Sequence, residues 1–120
     1  NMDFENKQRI IQEIVPGKQI TLAHIVAKPD AVLYRKLGLD PAVDYSAAAI
    51  GILTMSPAEY AIIAADLAIK SSGAELGFVD RFSGTLIITG TISQVEAALN
   101  AILAHAGEKL GFTVCEVTRT

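Results

Sequence analysis

Apolar positions along this chain follow two rhythms, a period of two in short runs and a helical spacing in the stretches between them. Gln19 to Ala27 (QITLAHIVA) predicts a strand with Ile20, Leu22, His24 and Val26 on one face and Thr21, Ala23 and Ile25 on the other. Pro29 stops it, Asp30 caps a short helix over Ala31 to Leu37, and Gly38 supplies the left-handed residue at its end. Leu39 to Ala48, with Pro, two Asp and a Ser, reads as a connecting loop. Ile50 to Thr54 is a short buried strand running into Ser56-Pro57-Ala58-Glu59, a capping box with Pro at the first helical position. The helix that follows reaches about Ser71, with Ala58, Ala61, Ile62, Ala65, Ala68 and Ile69 as its apolar stripe, and Ser72-Gly73 ends it.

Leu76 to Phe82 and Thr85 to Thr89 then read as two strands joined by a turn at Arg81-Phe82-Ser83-Gly84. Ser93-Gln94-Val95-Glu96 is a second capping box, and its helix buries Val95, Ala98, Leu99, Ile102 and Ala106 before ending near Gly107 or Gly111. A last strand is predicted over Phe112 to Thr118. Ahead of all these, Arg9 to Val15 suits a strand, but Ile11 and Val15 share a face with Glu13, and Ile10 and Ile14 share the other with Gln12. Neither face is cleanly core, so this strand suits pairing with copies of itself as well as with its own sheet. Thr54 to Glu59 and Thr91 to Glu96 also resemble each other at two strand-to-helix junctions. The pattern predicts an α+β, ferredoxin-like domain, with helices on one face of a mostly antiparallel sheet, preceded by an extra strand-helix unit and an N-terminal strand.

Composition adds an expectation of assembly. A chain of 120 residues suits one domain with a real core. Only 19% of it is charged and 51% is hydrophobic, against roughly 25% charged in ordinary globular chains. That much apolar surface exceeds the needs of a monomer, which points to an oligomer. The net charge of −3, with no Lys or Arg cluster, argues against nucleic acid. The longest apolar run is broken by Asp66, which argues against a membrane span, and Met2-Asp3-Phe4-Glu5 is unlike a signal peptide. Asn1 ahead of Met2 reads as a remnant of an expression tag. The lone Cys115 agrees with a reducing, cytosolic setting.

His24, Asp66, His105 and Cys115 are the residues available for catalysis, and nothing in their spacing assembles a site. Asp66 stands four residues before Lys70, the arrangement of a surface ion pair. His24 sits among aliphatic residues, as a hydrogen-bonded core or interface histidine does. No His or Cys pair has metal-ligand spacing, and no glycine-rich loop between strand and helix could cradle a phosphate, so no cofactor and no metal are expected.

The runs Ala49 to Thr54, Asp66 to Lys70 and Gly77 to Gly84 resemble the hexameric shell proteins of bacterial microcompartments. Ile11-Gln12-Glu13, Val15 to Gln19, Thr21 to His24 and Asp80 to Gly84 look more specifically like the circularly permuted members of ethanolamine- and propanediol-utilisation compartments. The resemblance spans about residues 9 to 120. It implies a circularly permuted, ferredoxin-like microcompartment domain over 19–120, with residues 1–18 as a tail and an extra N-terminal strand. It also implies a non-enzymatic shell subunit forming homohexameric tiles, with other shell proteins and encapsulated enzymes as partners, in ethanolamine, propanediol or choline pathways.

Three sets of residues carry roles by that resemblance. Arg81, Phe82, Ser83 and Gly84 match the pore loop, whose small residues keep a hole open and present backbone N–H groups and hydroxyls to small polar metabolites. Phe82 and Ser83 depart from the glycine-rich loop of unpermuted members. Lys70 matches a lysine at the hexamer edge, with Lys28 as its basic partner. Ile10, Ile11, Gln12, Glu13, Ile14 and Val15 match the strand that forms a barrel capping the pore. The rival to this reading is a small oligomeric ferredoxin-like sensor that binds a metabolite between subunits.

Overall fold

The middle of the sheet belongs to the strand that is apolar on both faces. In the computed structural model, which describes residues 17–39 and 48–120, this is β2 (Ala49–Ser56). It is flanked by β1 (Gln19–Val26) and β4 (Thr85–Gly90), with β3 (Glu75–Asp80) and β5 (Thr118–Arg119) outermost, in the order β3-β4-β2-β1-β5. Every neighbouring pair is antiparallel except β1 and β5. Three helices complete the domain: α1 (Ala31–Lys36), α2 (Tyr60–Ser72) and α3 (Ile92–Ala104), the last running on into a π-helical turn over His105–Lys109.

Both long helices cover one face. α3 buries Val95, Ala98, Leu99 and Ile102, with Ala106 beyond it, each at 0% exposure, as the helical spacing predicts. It lies close to the sheet because Gly51 has no side chain: a Cβ there would stand 2.7 Å from Val95 and 2.9 Å from Ile88 and Leu99. α2 differs from expectation. Tyr60, Ala61, Ala64, Ala65 and Ala68 face the core, while Ile62 and Ile69 are half-exposed. Alanines give α2 its close approach, and the isoleucines lie about 100° round the helix from them. The other face is covered by α1, so the helices are not all on one side. Tyr34 and Leu39 pack on Ile50 and Ile87, and the Tyr34 hydroxyl donates to the carbonyl of Ala48.

The faces of β1 are also reassigned. Ile20 pairs with Met55 and Leu22 with Thr54, which leaves Thr21 as an extra residue. This bulge switches the alternation, so Ile20 joins Ala23 and Ile25 in the core while Leu22 faces out. Thr21 Oγ1 lies 2.6 Å from Thr54 Oγ1. Asp30 caps α1 through Val32 N, and Gly38 takes φ +70°, both as expected.

Neither predicted capping box forms where expected. Ser56 ends β2 and α2 begins at Tyr60, with Glu59 at the cap position making no side-chain cap bond. For α3 the box is two residues earlier: Gln94 N donates to Thr91 Oγ1 and Thr91 N to Gln94 Oε1. The likeness between Thr54–Glu59 and Thr91–Glu96 is therefore not a structural repeat. The C-terminal run also falls short of the predicted strand over Phe112–Thr118. It touches β1 through a bridge from Thr113 to Gln19 and again at β5, where Thr118 and Arg119 pair with His24 and Ile25. Cys115 is half-buried between these points and packs on the core. The proposed strand at residues 9–15, and most of the loop at 39–48, lie outside the described residues.

Candidate functional site

The β3–β4 turn is the most constrained surface feature of the described chain. Gly84 N donates to the Asp80 carbonyl at 2.9 Å, and the Gly84 carbonyl accepts from Met55 N at 2.9 Å, tying the turn to the central strand. Gly84 has φ +77°, and a Cβ on it would lie 2.1 Å from the Met55 carbonyl oxygen, so the position demands glycine. Asp80 closes the turn from inside: Phe82 N donates to its Oδ1 at 2.9 Å. That backbone bond, then a bond from the Ser83 side chain, holds the Asp80 carboxyl below its ordinary range. The folded value being depressed, the clasp is complete at neutral pH and loosens only as pH falls through the lowered pKa.

These bonds change what the turn offers to solvent. The Phe82 and Gly84 amides are used inside the turn, and the Ser83 hydroxyl donates to Thr85 Oγ1 at 3.0 Å. Two of the four amides of residues 81–84, and the Ser83 hydroxyl proton, are therefore engaged within the protomer. What projects is the Phe82 ring, 82% exposed, with the Arg81 guanidinium 4.9 Å from its centroid. Arg81 makes no ion pair with any described residue. Beside them an open hollow of about 260 Å³ is lined by Ile62, Val79, Asp80, Arg81 and Phe82. Asp80 was not singled out from the sequence as a site residue, though an Asp two residues ahead of a turn amide is a recognisable turn-former.

Other parts of the chain gather at the same end of the sheet. A side chain on Gly17 would meet Ser56 Oγ at 3.7 Å, and Ser56 follows Met55, which holds Gly84. Gly17, the first described residue, thus lies at the turn's end of the sheet. Ile10, Ile11, Gln12, Glu13, Ile14 and Val15 lie outside the described residues.

Lys70 stands in the last turn of α2, its Nζ 2.9 Å from Asp66 Oδ2, with both side chains well exposed. Lys28 follows β1 and lines an open hollow of about 510 Å³ with Asp30, Ile92 and Arg119. The remaining candidates are structural. His24 joins β1 to the C-terminal run through Thr118 Oγ1 at 2.6 Å and Thr120 Oγ1 at 2.9 Å. His105 Nδ1 lies 2.7 Å from the Tyr60 hydroxyl, linking α2 to the π-helical turn. Among the described residues no group of His, Cys, Asp and Glu could hold a metal ion, and no helix is long and apolar enough to cross a membrane.

Comparison with known proteins places this geometry in context. The BMC domain matches residues 49–118. The chain is 53% identical to bacterial microcompartment shell protein PduU of Salmonella typhimurium, over 93% of each chain. It is 50% identical to shell protein EutS of the same organism, covering 96% of this chain and 99% of EutS. Among solved structures, a flat hexamer of CutR superposes with a TM-score of 0.80 at 42% identity, covering 88% of this chain and 94% of the other. The fused permuted hexameric shell protein MSM0275 shares the fold alone, at a TM-score of 0.66 and 20% identity over 77% of this chain and 49% of that one. The BMC match begins at β2, so β1 and α1 precede it in sequence although β1 lies beside β2 in the sheet.

Proposed function

This chain belongs to the BMC-domain family of bacterial microcompartment shell proteins, and on that premise we propose that it is a non-enzymatic tile of such a shell, acting as a homohexamer in the bacterial cytoplasm. The observation that carries this reading is the identity of about half with PduU and EutS along nearly their whole lengths, together with the superposition on a hexameric relative. Its mechanism is geometric. Identical turns repeated about a rotation axis enclose a lumen that one protomer cannot make.

Arg81, Phe82, Ser83 and Gly84 surround that lumen, and the rigid clasp on Gly84 fixes its bore. Residues 1–18 form a tail whose strand, Ile10 to Val15, pairs with its copies into a barrel over the lumen. The placement of Gly17 at the turn's end of the sheet supports this, and a closed ring of strands leaves no free edges. Deleting residues 1–16 is expected to leave the hexamer intact by native mass spectrometry and to open one side of the lumen in a crystal structure. A structure of the full chain with that segment packed away from the axis removes the cap.

Lys70 and Lys28 stand at the edges where tiles meet other shell proteins, and encapsulated enzymes contact the inner face. Lys70 is suited to an edge by its exposure and by a partner, Asp66, whose exposed pairing is worth only ~0.3–0.5 kcal/mol and is easily exchanged. Lys70→Glu is expected to keep hexamers while reducing their assembly into sheets under negative-stain imaging. Loss of the hexamer in native mass spectrometry would place Lys70 inside the ring instead. The similarity to EutS, PduU and CutR is to shell proteins of ethanolamine, propanediol and choline compartments, and one of these pathways is the setting we propose.

A further inference from the structure

Taking residues 81–84 to surround the ring axis, as proposed above, we infer that Phe82 side chains of neighbouring copies pack together into an apolar collar, making the turn a constriction that opposes cations and strongly hydrated neutral solutes. Phe82 is the most exposed of the large apolar side chains described, at 82%. It is not loosely held. Asp80, Met55 and Thr85 between them bind Phe82, Ser83 and Gly84 through Phe82 N, both backbone polar groups of Gly84 and the Ser83 hydroxyl. A turn this rigid that keeps a phenyl ring in water wastes apolar surface unless a partner covers it.

The partner fitted by these observations is a second copy of this chain. Rotational symmetry brings like turns together, and a relative with 42% identity is a ring of this kind. The guanidinium of Arg81 covers one side of the Phe82 ring, leaving its remaining surface for a neighbour. The adjoining hollow, with Ile62 and Val79 in its wall, gives that neighbour an apolar seat. Because the Phe82 and Gly84 amides and the Ser83 hydroxyl are used internally, a hydrated neutral solute entering the collar finds little to replace its water. Narrow apolar constrictions of this sort exclude such solutes by dewetting.

The chain has no tryptophan, so Phe82→Trp makes a single indole reporter at an exposed position that the protomer fold does not depend on. In the assembled full-length protein its emission is expected to be blue-shifted, and its quenching by acrylamide reduced, relative to N-acetyltryptophanamide in water. A water-exposed indole in the hexamer overturns the collar. The location of the turn is read separately with Ser83→Cys in a Cys115→Ala background, carrying a nitroxide label. Strong dipolar broadening between labels in the hexamer places the turn at the axis.

Broadening with an exposed indole leaves the lumen reading standing and rejects the collar. Absence of broadening rejects both, whatever the indole shows, and so does a chain that stays monomeric in native mass spectrometry. To separate cover by copies from cover by the N-terminal segment, Ile10→Ser and Ile14→Ser are combined with the Trp reporter in the full chain. A blue shift that persists supports the collar, and one that disappears assigns the cover to that segment and overturns it.

Discussion

Gly84→Ala is expected to cost about 3 kcal/mol or more of protomer stability, the largest effect of any single methyl added to this chain. Two penalties act together. A non-glycine residue held at φ +77° is strained by ~1–2 kcal/mol. The added Cβ also meets the Met55 carbonyl oxygen at 2.1 Å, a backbone atom in the central strand that cannot turn aside as a side chain could. Relief requires the turn to lift from β2, breaking the Met55 N to Gly84 carbonyl bond. Gly38→Ala is the control: its φ is +70° but nothing lies within 4 Å of the new Cβ, so it pays the conformational cost alone, ~1–2 kcal/mol. Urea unfolding at one fixed protein concentration compares the two, since association would otherwise shift the midpoints. Equal losses for the two variants would mean the contact at Gly84 relaxes freely and the turn is not clasped.

The same glycine shows what the sequence could and could not reveal. Arg81 to Gly84 is readable as a turn because a glycine lies between two strand-like runs, and β3 and β4 end within two residues of expectation. That the glycine is compulsory is not readable, because the atom that excludes a side chain belongs to Met55, remote in sequence. Asp80, whose carboxylate organises the turn, is recognisable by type as a turn-former, but that Phe82 N is its partner shows only in the structure.

The helices give a matching contrast. The buried face of α3 is legible to the residue because Val95, Leu99 and Ile102 are large as well as correctly spaced. The predicted stripe of α2 includes Ile62 and Ile69 and omits Tyr60 and Ala64, because spacing alone does not show that close approach to the sheet requires small residues inside. β1 was misread from the Thr21 bulge onward, since one unpaired residue reverses a period of two. The roles proposed for Lys70, Lys28 and residues 10–15 rest on likeness to a family, because each concerns contacts with copies that a single protomer does not contain.

The frame that holds the turn in place rests on the contact between Gly51 and α3, and the second large effect is expected there. Leu99→Ala empties a fully buried site and should cost about 2–5 kcal/mol. Gly51→Ala, in contrast, adds a methyl where none fits, with Val95, Ile88 and Leu99 atoms all under 3 Å from it, and should cost about 1–3 kcal/mol. Together they should cost less than the sum of the two, because removing the Leu99 Cδ1 clears one of the three collisions and the new Cβ fills part of the cavity. The coupling should be at least ~0.5 kcal/mol in a double-mutant cycle read by urea unfolding. It will not be complete, since Val95 and Ile88 still press on the added carbon. Strict additivity would show that α3 moves off the sheet in the Gly51 variant. The sheet would then lack the fixed backing that lets β2 anchor Gly84, and the Phe82→Trp reporter combined with Gly51→Ala should show more acrylamide quenching than the reporter alone.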